Sequence, residues 1–484
     1  MIQGRLSLEA IVLGRNDDYE PNWADKLIAS IAYNRARFEG SAIDYSICFV
    51  EWNPPRDRPL LAPVLIERFP YLRGIVVDAE VHDALCTSPN LKMMLNFALN
   101  CGLRTSRADF NLISAGDLFI GSTIASYIRG VGLARNCLYR AERVNISPDL
   151  NFAAIAPAEL EAAENIVSVN TCTEPPFDQP PYTHACGDFL LTDRLTMLGL
   201  RGFDEGVRSA RLHLDSRFCR TAMEAGLSCN LIGQIFHINH TNSYTVLGEK
   251  YQDAKYVWDA DLPYLNPRDW GLADHLWTQR GERHWQVSRA AGDGRTIPFE
   301  PTAAEVDTAN AVTSRIIARK CEIRPPEPQA DAQVLAPVHV AGLTSQSHWL
   351  NARVIRGGPT VVVTTSSPWG YSAVLDLTAL RREHHRNLGW LFWEIDAEVT
   401  EGEVGLGIGL VDRDLLFCER FVEAAERRQK IVLPADAVDA ELIVRNGRYP
   451  MASRIAFHGV RLVHQPAPDR GRIELQYLLR GAAV

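Results

Sequence analysis

The sequence predicts an α/β domain built on a doubly wound sheet, followed by a smaller, jelly-roll-like all-β sandwich. Three observations lead to this prediction. Short apolar runs alternate with helical patterns over roughly the first 130 residues. A proline- and charge-rich stretch at residues 324–329 interrupts the chain, and short apolar runs separated by turn residues follow it. Because 484 residues are too many for one ordinary core, we expect several domains. Their predicted bounds are 1–290 for the α/β domain, 291–338 for a connector and 339–484 for the sandwich.

The first domain is predicted from alternating strand and helix patterns. Leu27, Ile28 and Ile31 have helical spacing, and consecutive prolines at Pro54 and Pro55 end the second strand. The predicted order is strand 8–13, helix 23–35, strand 45–51, helix 60–69, strand 74–77, helix 91–103, strand 110–113, helix 122–128, helix 216–225 and strand 231–238. Short connections favour parallel strands, with ligands bound beyond their carboxyl ends.

The sandwich is predicted from short apolar runs that Gly, Asp, Asn and Pro turns separate. These runs cover residues 359–365, 373–377, 391–399, 404–411, 430–433, 442–444 and 455–462. In architecture alone this segment resembles a carbohydrate-binding or oligomerising module, and the resemblance implies that the chain could form a homo-oligomer.

Bulk composition excludes some classes of protein. The net charge is −9 and the sequence contains no basic stripe, so nucleic acid is not an expected partner. Ten cysteines without a CxxC pair are typical of reduced thiols in a cytoplasmic protein. We expect no signal peptide, and no apolar run reaches the length of roughly 18 residues that a membrane span needs.

Two carboxylates are candidates for chemistry. Asp117 follows the strand at 110–113 and offers a hard oxygen ligand for a divalent metal. Its alternative role is a helix cap, although Ser122 is better placed for that. Asp215 precedes the helix at 216–225 and could deprotonate an acceptor hydroxyl, or simply act as the N-cap.

Two histidines lie at the end of the strand at 231–238. His237 and His240 could complete a metal site, or be ordinary structural residues. Asp188 and His184 flank Gly187, where they could contact an acceptor or shape a turn.

Polar residues near the ends of the early elements are candidates for donor binding. Residues 14–17, Gly-Arg-Asn-Asp, could bind a ribose or base, or form only a polar turn, and they lack the GxGxxG spacing. Asn100 and Arg104 could lie near a sugar or diphosphate, while Arg104 could instead complement the carboxyl end of its helix.

Taken in order, these pieces resemble bacterial nucleotide-sugar glycosyltransferases with the GT-A fold, over residues 8–276. The resemblance implies a GT-A-type mixed sheet and a donor pocket formed by Arg15, Asn16, Asp17, Glu51, Asn100, Arg104 and Asp117. It implies acceptor contacts from Gly187, Asp188, Arg201, Asp204 and Glu205. Asp215 matches the catalytic base of inverting members, and Asp117 with His237 or His240 would hold Mn or Mg. One departure is that the family's Asp-x-Asp signature reads Ala115-Gly116-Asp117 here.

The leading hypothesis is therefore transfer of a sugar from a nucleoside diphosphate donor to a hydroxyl of a glycan or glycolipid. The alternative is a non-catalytic glycan-binding protein on a degenerate transferase scaffold, which the missing first acid favours. A metal-dependent hydrolase would need more than one early acid.

Overall fold

The computed structural model describes most of the chain. Its described residues are 5–17, 22–171, 180–182, 185, 187–211, 213–240, 263–289, 300–323, 327–345, 351–384, 390–410, 416–424, 427–435 and 439–465. His184 and part of the proline-rich stretch at 324–329 lie outside these ranges. The chain divides into two compact units, the first reaching Ile316 and the second beginning at Ile317.

Among the described residues, eleven strands belong to the first unit. They are β1 Leu6–Gly14, β2 Ile43–Trp52, β3 Leu72–Val77, β4 Phe110–Ser114, β5 Leu118–Ile120, β6 Cys137–Ile146, β7 Ile166–Asn170, β8 Phe189–Asp193, β9 Ser228–Ile238, β10 Leu276–Gly281 and β11 His284–Ser288. Its helices are α1 Trp23–Ala36, α2 Leu61–Arg68, α3 Ala79–Leu85, α4 Leu95–Thr105, α5 Ser122–Gly130, α6 Pro157–Leu160, α7 Arg194–Leu200 and α8 Leu214–Glu224. The next helix of the described residues is α9 Ala303–Ile323, and the boundary between the units falls within its sequence.

These strands form one mixed sheet. Its order is β10-β11-β3-β2-β1-β4-β8-β6-β9-β5, with β7 added beside β6. Strands β3, β2, β1 and β4 are mutually parallel, as their alternation with helices predicts. Strand β8 pairs antiparallel with β4, so the prediction of a mixed sheet is confirmed.

Two strand pairings determine where polar loops meet. Strand β1 lies beside β4 in parallel register, so Gly14 and Ser114 end at the same edge of the sheet. Strand β5 runs antiparallel to β9 and pairs Leu118 with His237. The residue before β5, Asp117, therefore lies beside the carboxyl end of β9.

The second unit is built from two antiparallel sheets. Its elements are β12 Gln333–Val338, β13 Thr344–Ser345, β14 Arg353–Ile355, β15 Thr360–Val363, β16 Tyr371–Asp376, α10 Thr378–Glu383, β17 Trp390–Glu401, β18 Glu403–Leu410, β19 Leu416–Glu423, β20 Gln429–Pro434, β21 Ala440–Asn446 and β22 Arg454–Gln465. One sheet has the order β14-β15-β22-β17-β20 with β12 beside β22, and the other has the order β13-β16-β21-β18-β19. The predicted all-β character of this region is confirmed.

The region predicted as a connector, residues 291–338, contains regular structure in its described part. Helix α9 occupies residues 303–323, and β12 at residues 333–338 pairs with β22. In the sequence, prolines stand at positions 325, 326 and 328, between α9 and β12.

No helix among the described residues is long and apolar enough to cross a membrane.

A candidate active site at the carboxyl edge of the mixed sheet

A cleft of about 380 Å³ opens where β1 and β4 end. The predicted site residues that line it are Gly14, Arg15, Asp17, Asp117, Gly187, Asp188, Asp215, His237 and His240. Loops separated by more than 200 positions in the sequence thus meet in one cleft. This is the edge at which open α/β sheets bind their ligands.

Asp117, His237 and His240 form a compact cluster in this cleft. Nε2 of His240 lies 3.1 Å from Oδ2 of Asp117, and Nε2 of His237 lies 3.3 Å from the same oxygen. One ligand atom from each residue lies within 4.8 Å of the others. Burial raises the pKa of Asp117, but attraction to His237 and hydrogen bonds with both imidazoles outweigh it. The net pKa is well below the ordinary value, so Asp117 stays a carboxylate.

This donor set fits a divalent metal ion. Two imidazoles and one carboxylate suit a transition ion such as Mn²⁺ better than Mg²⁺, which prefers oxygen ligands. Arg143 lies 3.0 Å from Nδ1 of His237 and also pairs with Asp188 at 3.0 Å. Since a guanidinium can only donate, Nδ1 of His237 accepts and Nε2 carries the ring proton. To bind a metal through Nε2, His237 must carry its ring proton on Nδ1, which then cannot accept from Arg143. The hydrogen bond between Arg143 and His237 would break, and the ion pair with Asp188 would hold Arg143 in place.

Asp215 lies in the first turn of α8, on the same cleft. The N-cap position belongs to His213, whose backbone is left-handed with φ 62°, so the alternative interpretation of Asp215 as an N-cap is wrong. Burial raises the pKa of the Asp215 carboxyl, and Asp188 adds to the rise, while Arg140 and backbone N–H groups oppose it. A raised pKa makes this carboxylate a stronger base than an ordinary aspartate.

Gly187 is the residue that lets a loop approach Asp215 closely. A Cβ atom at position 187 would lie 2.9 Å from Cβ of Asp215 and 3.1 Å from its Oδ2. Any larger residue would therefore displace the carboxylate. Gly187 contributes space to the site, whereas Asp188 contributes a charge that pairs with Arg143.

Several predicted donor residues have structural roles outside the cleft. Both oxygens of Glu51 accept backbone N–H groups of Leu61 and Ala62 at the start of α2, at 2.9 and 2.8 Å. Asn16 donates to the carbonyl of Pro59 and does not line the cleft. A polar residue after a strand can satisfy a nearby helix instead of a ligand, because unpaired N–H groups there need acceptors.

Asn100 and Arg104 are likewise buried in α4. Asn100 donates to the carbonyl of Phe203 and to Glu205, and Arg104 donates to the carbonyls of Arg268 and Trp270. Neither residue lines the cleft. The helix turns them toward the loops that follow α7 and β9.

Three predicted acceptor residues also fall outside the cleft. Asp204 forms a buried ion pair with Arg217 at 2.5 Å, and Arg201 donates to the carbonyl of Asn266. Glu205 accepts from Asn100 and from the backbone N–H of Gly271. Asp204 thus joins the segment 201–205 to α8 and Glu205 joins it to α4, whereas Arg201 joins it to Asn266.

The cleft contains functional candidates that sequence reasoning missed. Three cations from different segments line it and were not predicted, namely Lys92, Arg143 and Arg211; they join Arg15, which was predicted. Arg143 lies on β6, which no predicted element covers, although polar and apolar residues alternate at 143–146 and would have indicated a strand. Ser122, predicted as a helix cap, is instead the first residue of α5, and Gly121 takes the N-cap position.

Comparisons with known proteins identify no family for this chain. No protein-family model matches it. None of the curated proteins has a significant sequence match.

Solved structures give weak likenesses only. A family 29 carbohydrate-binding module is 16% identical and covers 28% of this chain and 94% of that chain, with a TM-score of 0.20. A xylan-binding family 22 module is 13% identical and covers 28% and 97%, with a TM-score of 0.17. The capsular polysaccharide assembling protein CapF of Staphylococcus aureus is 8% identical and covers 35% and 37%, with a TM-score of 0.12. Likenesses of this size carry no argument about function.

Proposed function

We propose that this protein is a glycosyltransferase that moves a sugar from a nucleoside diphosphate donor to a hydroxyl of a glycan or glycolipid, with inversion. The observation that carries the proposal is that Asp215 lines the same cleft as the Asp117–His237–His240 cluster. Such a transfer requires a base that deprotonates the acceptor hydroxyl and a centre that binds the departing diphosphate.

The proposed step uses Asp215 as general base. The acceptor hydroxyl gives its proton to Asp215 while its oxygen bonds to the anomeric carbon of the donor sugar. The bond from that carbon to the diphosphate oxygen breaks, and its electron pair leaves with the nucleoside diphosphate. Attack from the face opposite the leaving group inverts the anomeric centre. The raised pKa of Asp215 favours this proton transfer.

The leaving group would be held by cations of the cleft. Arg15, Lys92, Arg143 and Arg211 supply positive charge from four segments, and arginine suits diphosphate oxygens because it can donate two parallel hydrogen bonds. Asp117, His237 and His240 would hold Mn or Mg. When bound, the ion would stabilise the negative charge that develops on the diphosphate.

A second depression offers room for the nucleoside. It has a volume of about 560 Å³ and shares Arg15 and Lys92 with the cleft. Its other walls include Asn53, which follows β2, and His82 from α3. Arg15 donates to the carbonyl of Asn53 at 2.5 Å and pairs with Asp17 at 2.6 Å. A donor that spans both depressions would place its diphosphate between Arg15 and Lys92.

The test is turnover of UDP- and GDP-sugars with and without Mn²⁺, measured as release of nucleoside diphosphate. We expect Asp215→Asn to lower turnover by roughly 10²–10⁴-fold, since it removes a general base, with donor affinity changed less than about twofold. Asp307→Asn, an exposed aspartate on α9, is the matched control and keeps wild-type turnover.

Two outcomes contradict parts of the proposal. Near wild-type turnover in Asp215→Asn removes Asp215 from the mechanism. Binding of nucleotide sugars without any turnover supports the alternative, a glycan-binding protein on a degenerate scaffold. Ala115 at the position of the family's first acid is the observation that favours this alternative.

A further inference from the structure

The second unit exposes a large aromatic ring that its neighbours hold in place. Trp369 is 48% exposed, although its ring packs edge-on against Phe421 with centroids 5.3 Å apart. The guanidinium of Arg445 lies 5.6 Å from the centre of the same ring. The backbone of Trp369 is left-handed, with φ 60°, a conformation that a bulky residue rarely adopts. This tryptophan is therefore both ordered and open on one side.

A buried asparagine joins the loop of Trp369 to a second loop with exposed side chains. The amide of Asn446 lies within 3.2 Å of the carbonyls of Ser367, Tyr449 and Met451. Tyr449 is 41% exposed and Met451 is 59% exposed. Because one amide organises both loops, the exposed rings keep a defined spacing before any ligand binds.

Strand β18 lies beside these rings, and its glycines have no side chains that would project there. In β18, Val404, Leu406 and Ile408 are buried on one face of the strand, and the glycines that alternate with them lie on the opposite face. A Cβ atom at Gly405 would lie 2.5 Å from Oε1 of Glu419 and 2.8 Å from the ring of Phe421. Glycine thus allows Phe421 and Glu419 to lie flat across the strand.

The charges of this surface are paired. Arg445 donates to both carboxylate oxygens of Glu419. Arg448 pairs with Glu403 and Glu423, and its guanidinium lies 5.2 Å from the centre of the Tyr449 ring. Paired charges leave little net field to attract an anion, but they still offer hydrogen-bond donors and acceptors to hydroxyl groups.

We propose that the aromatic face formed by Trp369, Phe421, Arg445 and Tyr449 binds an uncharged oligosaccharide. The apolar C–H faces of sugar rings fit against flat aromatic rings, and the bidentate Arg445–Glu419 pair matches neighbouring hydroxyls. An exposed apolar patch rimmed by polar groups generally marks a surface that binds a partner or ligand. The proposal is independent of transfer in the cleft.

The test is affinity electrophoresis of the full chain in native gels that contain xylan, galactomannan, β-glucan or, as an anionic polymer, polygalacturonate. We expect at least one neutral polysaccharide to retard the wild-type protein. The dissociation constant obtained from the retardation should rise about tenfold in Trp369→Ala. Trp369→Phe, which keeps a flat ring, should still be retarded. Ile355→Ala is the matched control, an exposed apolar residue on β14 in the other sheet.

Three results of the electrophoresis would overturn this assignment. They are no retardation by any neutral polysaccharide, equal retardation of the wild type and Trp369→Ala, or stronger retardation by polygalacturonate than by neutral polymers. Sedimentation of the wild type and Trp369→Ala tests self-association, and a dimer that only the wild type forms would make this face a self-contact instead. Asp215→Asn should be retarded like the wild type, so failure of the transferase proposal and failure of this one are distinguishable.

Discussion

At the scale of single residues, the site depends on how one carboxylate is shared by two imidazoles. Oδ2 of Asp117 lies within 3.3 Å of ring nitrogens of both His237 and His240. Nothing in the spacing of these residues along the chain requires them to share one oxygen. Because Asp117, His237 and His240 meet at this oxygen, they can act together as the ligands of one metal ion.

We expect Mn²⁺ to raise the melting temperature of the wild-type protein by on the order of 5 °C at a hundredfold excess over its Kd, because the ion binds the folded state. Asp117→Asn and His240→Ala should lose most of this shift, and EDTA should reverse it. Thermal-shift measurement checks this without any turnover. His275→Ala is the control, since His275 contacts Asp274 at 2.7 Å outside the cleft. An unchanged Mn²⁺ shift in Asp117→Asn would show that the ion binds elsewhere.

At the scale of elements, the start of α2 shows why a polar residue at a strand end is ambiguous. Glu51 belongs to β2 and is fully buried, yet both of its oxygens accept N–H groups of α2. Burial raises the pKa of Glu51, and those two N–H groups oppose the rise. The Glu51 carboxylate accepts N–H groups at the start of α2, which is the usual role of an N-cap side chain. The N-cap residue, Leu60, has no side-chain acceptor.

We expect Glu51→Gln to lower the free energy of unfolding by about 1–3 kcal/mol, because one buried N–H of α2 loses its acceptor. Donor affinity should stay at the wild-type value, since Glu51 does not line the cleft. Chemical denaturation and titration with nucleotide sugar check the two expectations. Glu67→Gln, an exposed residue of the same helix, should change neither quantity. A large loss of donor affinity with unchanged stability would restore Glu51 to the donor pocket.

At the scale of the whole molecule, folding stability should depend on pH through Glu205. Burial raises the pKa of Glu205 from 4.5 to about 8, and hydrogen bonds from Asn100 and Gly271 only partly oppose the rise. Between these two values the unfolded chain releases the proton while the folded chain keeps it. The contribution of Glu205 to stability is therefore complete below pH 4.5 and is lost as pH rises through about 8.

We expect the melting temperature of the wild type to fall between about pH 5 and pH 8, and Glu205→Gln to fall less over the same range. Melting curves at several pH values check this. Glu282→Gln, an exposed glutamate in the turn between β10 and β11, should follow the wild-type profile. A variant profile parallel to that of the wild type would mean that Glu205 ionises normally in the folded protein.

Much of the fold was predictable because its cause is local. The apolar spacing of β1, α1, β2 and α2 gave bounds within two residues of those observed. Strands β5, β7 and β8 were missed because they have only three to five residues, too few for a clear periodicity, and the ten-residue β6 was missed with them. Helix α9 was missed because it lies in a region interpreted as a connector.

The candidate site was predictable only in part. Asp117, Asp188, Asp215, His237 and His240 do meet in one cleft. The equally polar Glu51, Asn100, Asp204 and Glu205 instead satisfy buried backbone groups or a buried arginine. Both sets look alike in the sequence because side-chain chemistry is the same whether the partner is a ligand or a backbone amide.

The sequence by itself determined the alternation of elements, the all-β character of the second unit and the residue types available for chemistry. Tertiary structure alone decided which polar side chains face a cleft. The pairing of β5 with β9 placed Asp117 beside His237, and the packing of α4 buried Asn100. The physical reason is that periodicity and turn preference act over a few neighbouring residues, whereas a site is made by loops that strand register brings together from distant parts of the chain.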